Sequence, residues 1–208
     1  MDFQVLGWPP DGPTLRLEYR RFAYAGKFVM TNTGKAVVRD PVDGSDSPVD
    51  DVVAALAFNA DRTAETTLWY RYVTVRADAQ GRRLGPRLAA FVAPRAADRG
   101  YDRLRIAVNN PFAYAAMYRA GFAWTGRETG LAELVLERPA AAAPAALRDR
   151  DAGTYRAGLD CYRERDPDDP EASFLAERAG ADPPEPTAVA WLRRRRTDDA
   201  SAADDPDG

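Results

Sequence analysis

The residues best suited to chemistry lie in a turn that joins a run of β-forming residues to an amphipathic run. Gly81 and Gly85 in this turn let the backbone approach a ligand closely, while Arg82 and Arg83 add positive charge. A strand that turns directly into a helix brings unpaired N–H groups and the positive end of the helix dipole to one point. Such a point binds phosphate, so the turn predicts an anion site. The alternative is an ordinary turn with solvated arginines.

Two segments resemble the motifs of a known family. Gln80 to Gly85, after the strand Val73-Thr74-Val75, resembles motif A of the GNAT superfamily of acyl-CoA-dependent N-acetyltransferases, Gln/Arg-x-x-Gly-x-Gly/Ala. Residues 109–122 are similar to motif B, an Asn-x-x-Ala helix that carries a tyrosine and ends in Gly-Phe. Arg83 departs from motif A, because it stands where the inner glycine is usual. Backbone N–H groups survive that change, so binding is expected to persist unless the position requires a positive φ.

The resemblance covers roughly residues 15–138 and implies both a fold and a ligand. The implied fold is α/β (α+β), with a mixed, mostly antiparallel central sheet, helices on both faces and a V-shaped splay between two central strands. The pantetheine and thioester of acetyl-CoA would lie in the splay and pair with the backbone of Val73 and Val75 as an added strand would. The implied acetyl-CoA-binding residues are Val73, Thr74, Val75, Gln80, Gly81, Arg82, Arg83, Leu84, Gly85, Pro86 and Asn110. The chain also resembles a group of such proteins from salt-loving archaea, which names no substrate.

The resemblance also implies acetyl transfer to a primary amine by direct attack in a ternary complex. The acceptor would be a small molecule, an amino acid or a protein amino group. In the family the motif B tyrosine often protonates the departing thiolate, and Tyr118 is the nearest match, with Tyr114 in reserve. Met117 falls on the usual tyrosine position, so either the helix is locally irregular or Tyr118 points elsewhere. The alternative function is a CoA-binding regulatory module without catalysis.

The general base and the acceptor pocket stay open. No carboxylate lies on the valine-bearing strand, so a water relay is the expected route for the amine proton, with Glu18 and Glu65 as weaker candidates. Three aromatic side chains of that strand could line an acceptor pocket or pack against neighbouring strands: Trp69, Tyr70 and Tyr72.

Composition excludes several other chemistries. The 208 residues include no histidine, which removes Ser-His and Cys-His nucleophile pairs and most zinc sites, so no metal is expected. The single cysteine, Cys161, has no partner for an internal disulfide. The net charge of −3 argues against a general nucleic-acid binder. The lack of a long apolar run and of a signal peptide predicts a soluble, cytoplasmic protein that does not insert into membranes.

The elements that must position these residues follow from hydrophobic spacing. Alternation and β-forming residues predict strands over residues 14–19, 35–39, 52–58, 67–76, 104–108 and 131–137. Helical spacing predicts helices over residues 20–30, 84–97 and 110–120, and beyond the core domain over 145–165 and 171–179.

Composition also divides the chain into three parts. Residues 1–138 form the predicted acetyl-CoA-binding domain, with 19 basic and 16 acidic side chains, against 10 and 16 in the remainder. A proline-bracketed alanine linker then opens a helical extension over residues 139–182. Residues 183–208 form an acidic tail that is expected to be disordered. Its acidic residues argue against a nucleic-acid contact at Arg193 to Arg196, and the resemblance leaves a homodimer open.

Overall fold

The structure is a computed structural model that describes residues 1–40 and 51–187. In these ranges the strands are β1 Asp2–Gly7, β2 Gly34–Arg39, β3 Val52–Ala60, β4 Thr67–Val75, β5 Arg103–Val108, β6 Ala123–Glu128 and β7 Leu134–Pro139. The α-helices are α1 Leu84–Ala97, α2 Pro111–Arg119, α3 Pro144–Arg148, α4 Ala152–Arg163 and α5 Asp169–Ala176. Two short 3₁₀ helices, Ala25–Val29 and Ala77–Ala79, complete the described elements.

The seven strands form one mixed sheet in the order β1-β2-β3-β4-β5-β7-β6. Every pair of neighbours is antiparallel except β4 and β5, which are parallel because α1 connects them. β4 pairs with β3 as far as Val75, but it pairs with β5 only from Thr67 to Tyr70. The two central strands therefore diverge beyond Tyr70, and the predicted mixed, mostly antiparallel sheet with a V-shaped splay is confirmed.

The sheet has a buried cluster on each face. Helix α1 places Leu84, Leu88 and Val92 in the larger cluster, at the spacing of one helical face. The opposite face is covered by the segment before β2, from which Phe22 and Phe28 are buried in the second cluster. The sheet is thus closed on both sides around β3 and β4, which keeps the diverging end of β4 in a fixed position.

Two predictions near the N-terminus are wrong. Residues 14–19 alternate like a strand but form no strand ladder, although Leu15 N–H donates to Phe28 O at 3.1 Å. Residues 20–30 form only the 3₁₀ helix Ala25–Val29, because Tyr24 adopts a left-handed conformation with φ 59° and interrupts the helix. Strands β1 and β6 were not predicted. The remaining strands and helices of the core lie where spacing predicts them, within a few residues at each end.

The helices beyond residue 139 pack against the core. The predicted helix over residues 145–165 is divided into α3 and α4 by a break between Arg148 and Ala152. Tyr155, Leu159 and Leu175 are buried in the larger cluster together with residues of the sheet. The domain boundaries stay a prediction. The predicted acidic tail lies outside the described residues from position 188 onward, and so does the segment Arg193 to Arg196.

Candidate functional site

A cleft of ≈ 670 Å³ opens where β4 and β5 diverge. Its walls are the end of β4, the loop that follows, the first turn of α1 and one side of α2. Nine predicted binding residues line it: Val73, Thr74, Val75, Gln80, Gly81, Arg83, Leu84, Gly85 and Pro86. The splayed strands and the glycine-bearing turn therefore form one site.

The first turn of α1 presents backbone donors to this cleft. The first helical hydrogen bond runs from Arg87 N–H to Arg83 O at 3.2 Å, so the N–H groups of Leu84 and Gly85 precede it. No side chain caps this end of the helix. Pro86 is buried in the same turn, where its missing N–H costs no hydrogen bond. Two donors and the positive end of the helix dipole are thus available to an anion.

Arg83 occupies a position that requires a left-handed backbone. It precedes α1 with φ 56° and ψ 29°, a conformation that glycine adopts without strain and other residues adopt at a cost of about 1–2 kcal/mol. Binding was expected to persist unless this position requires a positive φ, and the observed φ is positive. Arginine nevertheless adopts the required conformation, and its side chain is exposed along the cleft.

Thr74 brings a buried polar group to the cleft without a partner. Its side chain is only 4% exposed, and within the described part of the chain no group hydrogen-bonds to its Oγ1 atom. A buried hydroxyl left without a partner costs about 1–3 kcal/mol. Because a hydroxyl both donates and accepts, this group can pair with either an amide N–H or an amide C=O.

The side chains of Arg82 and Asn110 do not line the cleft. The guanidinium of Arg82 turns outward and lies 3.4 Å from the carboxylate of Asp40. Asn110 instead caps α2, because its Oδ1 atom accepts from Ala113 N–H at 2.8 Å. Both side chains have local structural roles, and their assignment as binding residues stays a prediction.

Tyr118 also lies away from the cleft. Helix α2 is regular, so Met117 faces the cleft and Tyr118 points about 100° away into the core. The Tyr118 hydroxyl accepts from Trp124 N–H at 3.0 Å, and burial raises its pKa. The reserve candidate, Tyr114, is fully buried as well and donates to Tyr155 O at 3.2 Å. The structure thus brings neither expected acid to the cleft.

The three aromatic residues of β4 have different surroundings. Tyr70 is buried and its hydroxyl donates to Ala89 O at 3.0 Å, so it belongs to the core. Tyr72 lies on the opposite face of the sheet, with its ring 5.9 Å from that of the exposed Tyr24. Trp69 carries the Arg71 guanidinium over its ring at 4.6 Å. Only Tyr72 and Trp69 therefore keep surface that an acceptor could contact.

The weaker base candidates are remote from the cleft walls. Glu18 and Glu65 are both exposed and neither lines the cleft. Within the parts of the chain that the structure describes, no three side chains come together as a metal site. No helix in those parts is both long enough and apolar enough to cross a membrane.

Among the further residues that line the cleft, sequence reasoning missed three with large side chains. Phe112 and Arg119 lie on the cleft side of α2, and Phe174 reaches it from α5 in the C-terminal extension. The motif B segment contains the first two, and they share one face of α2 because they are seven residues apart. No local signal indicates Phe174, because its position depends on how the extension folds back.

Comparisons with known proteins identify one family. The model of the acetyltransferase (GNAT) family matches residues 7–122. No curated protein matches the chain. An N-acetyltransferase from Staphylococcus aureus is 17% identical over 52% of this chain and 68% of its own, with a TM-score of 0.43. A nourseothricin acetyltransferase is 15% identical over 67% and 98%, with a TM-score of 0.45. The PaiA N-acetyltransferase from Thermoplasma acidophilum, in complex with coenzyme A, is 11% identical over 50% and 59%, with a TM-score of 0.40.

Proposed function

The chain belongs to the acetyltransferase (GNAT) family, and on that premise we propose that it transfers the acetyl group of acetyl-CoA to a primary amine. The observation that carries the proposal is the cleft between the diverging strands, which combines free backbone donors with an unpartnered hydroxyl. A small molecule, an amino acid or a protein amino group is the acceptor. The proposal includes a cytoplasmic location, where acetyl-CoA is available.

In this proposal acetyl-CoA lies along the cleft with each of its parts beside a suitable group. Its pyrophosphate meets Gln80 to Gly85, where the N–H groups of Leu84 and Gly85 and the charge of Arg83 favour an anion. Its pantetheine chain follows β4 beyond Tyr70, where the backbone has no β5 partner, and reaches the Thr74 hydroxyl. The thioester then lies toward the point where the strands separate.

The proposed reaction needs positioning more than side-chain acid–base chemistry. The amine nitrogen bonds to the thioester carbonyl carbon, the C–S bond breaks, the nitrogen loses a proton, and the departing thiolate gains one. No aspartate, glutamate or tyrosine is among the described residues that line the cleft, so we propose that water carries both protons. The chain contributes by fixing the donor and by excluding other reactions, which is worth several orders of magnitude in rate.

One observation favours the alternative of a CoA-binding regulatory module. Met117 stands in the cleft where a tyrosine would supply the thiolate proton, and a thioether cannot donate one. In this alternative the chain binds acetyl-CoA and releases no thiol.

The deciding experiment measures the release of free CoA thiol from acetyl-CoA in the presence of a panel of amines. The panel contains polyamines, amino acids and peptides with free amino groups, and mass spectrometry identifies the acetylated product. Amine-dependent release supports the transferase. Saturable acetyl-CoA binding without release for any amine supports the regulatory module, and absence of binding rejects both.

A further inference from the structure

The C-terminal extension contributes an aromatic wall to the cleft. Phe174 of α5 and Phe112 of α2 both line it, and their rings are 4.6 Å apart in a tilted arrangement. Phe112 is 43% exposed although it is a large apolar side chain beside a cleft. An aromatic pair with a free face suits a flat ligand ring, because stacking on a base contributes about 1–3 kcal/mol.

Cationic side chains surround this aromatic pair. The Arg178 guanidinium lies 3.5 Å from the centre of the Phe174 ring and donates to Phe174 O at 3.1 Å. Two further arginines line the cleft: Arg119 on α2 and Arg83 just before α1. Burial lowers the pKa of Arg119, and the positive charges of Arg83 and Arg178 lower it further, so the Arg119 guanidinium lies within the field of both.

These charges lack an acidic counterpart in the cleft. None of the described residues that line it is an aspartate or a glutamate. Among the described residues, the one carboxylate paired with Arg178 is that of Glu177, 3.4 Å away, whose side chain is 73% exposed, so the pair contributes little. A cluster of cations with so little opposing charge is stabilised by an anion, and beside aromatic rings an anion attached to a flat ring adds stacking.

We propose that α5 is part of the acyl-CoA site, with Phe174 and Phe112 contacting the adenine ring and Arg178 and Arg119 binding the 3′-phosphate of CoA. The inference rests on the proposed function and adds a selectivity to it. The extension then selects CoA over dephospho-CoA, which has the same adenine, pyrophosphate and pantetheine but no 3′-phosphate. The helical extension, residues 139–182, then contributes to the donor site through Phe174 and Arg178.

The test is a calorimetric titration of the full chain with CoA and, separately, with dephospho-CoA. We expect the wild type to bind CoA about 10-fold more tightly, the size of one charge-assisted hydrogen bond. Arg178→Gln and Arg119→Gln should each lower the affinity for CoA by about 5- to 10-fold and leave that for dephospho-CoA within about 2-fold. Phe174→Leu should weaken both ligands, since the adenine is common to them.

A matched control separates local charge from net charge. Arg165→Gln removes the same charge from the same extension, but Arg165 pairs with Glu128 of β6 at 3.1 Å and lies over the Tyr162 ring, not over Phe174. It should leave both affinities unchanged. Circular dichroism of each variant checks that the extension stays folded.

Two outcomes would overturn the inference. One is a wild type that binds CoA and dephospho-CoA equally well, and the other is an Arg178→Gln variant that weakens both ligands by the same factor. Either result leaves the proposed function intact, because the cleft still binds a CoA molecule. A wild type that binds neither ligand would instead reject the proposed function together with this subsite.

Discussion

Replacing Arg83 separates the backbone strain at that position from the charge of the side chain. Arg83→Gly removes both the charge and the strain of a φ of 56°, whereas Arg83→Ala removes the charge and keeps a Cβ atom in the left-handed region. The two variants should therefore differ in stability and agree in their affinity for acetyl-CoA.

The magnitude follows from two opposing terms. Relief of the left-handed strain favours the glycine variant by about 1–2 kcal/mol, and the greater entropy of glycine in the unfolded chain opposes it by about 0.4–1 kcal/mol. We expect Arg83→Gly to be more stable than Arg83→Ala by about 1 kcal/mol. In a chain of this length that difference raises Tm by roughly 2–4 °C.

The assay combines urea and thermal denaturation with calorimetric titration of acetyl-CoA. Both variants should bind acetyl-CoA about 5-fold more weakly than the wild type, since an exposed guanidinium that pairs with phosphate contributes about 1 kcal/mol. If Arg83→Gly is less stable than Arg83→Ala, the left-handed backbone is not what this position demands. If only the alanine variant loses affinity, conformation rather than charge governs binding.

Three further changes test other parts of the structure. Thr74→Val should stabilise the free protein by about 1 kcal/mol, because it removes a buried hydroxyl without a partner, and should weaken acetyl-CoA binding several-fold. Thermal unfolding measures the stability and calorimetry the affinity, and a rise or a fall in both would contradict this. Tyr118→Phe should cost about 1–2 kcal/mol of stability, because Trp124 N–H loses its acceptor, while amine-dependent thiol release stays within about 3-fold; a loss of about 100-fold would restore Tyr118 as the acid. Burial lowers the pKa of Lys35 from 10.5 to about 8, so the unfolded chain binds more protons between these values and stability should rise with pH across this interval. Urea denaturation of Lys35→Met at several pH values should show no such rise, whereas the exposed control Lys27→Met should keep it.

The strand, turn and helix around residue 83 could be predicted because their signals are local. Helix α1 has the predicted bounds, since its buried residues recur at helical spacing and Pro86 fixes its first turn. The strands that flank the splay were predicted from dense β-forming residues. The divergence itself came from the family resemblance, because nothing in a single strand indicates where its pairing with a neighbour stops.

Other elements depend on contacts that are distant in sequence. Residues 14–19 have strand alternation but no strand partner, whereas β1 alternates only over the short run from Asp2 to Val5 and gains its structure from pairing with β2. The register of motif B left Tyr118 and Met117 as alternatives, and the regular α2 helix assigns the cleft to Met117. Phe174 could not be predicted at the cleft, since its place follows from the packing of α5 on α2. The resemblance to proteins of salt-loving archaea stays a prediction.

The most direct test of the central claim is calorimetric titration with acetyl-CoA, at low and high salt, of the wild type, Gly85→Ala and Gly85→Trp. A Cβ atom added at Gly85 would lie 3.5 Å from Val73 Cγ1 and 3.6 Å from Val75 Cγ2, so alanine fits at ordinary contact distance and an indole has no room except in the cleft. We expect saturable binding by the wild type and Gly85→Ala, and none by Gly85→Trp. Absence of binding by the wild type at both salt concentrations, or unchanged binding by a folded Gly85→Trp, would contradict the assignment of this cleft to acetyl-CoA.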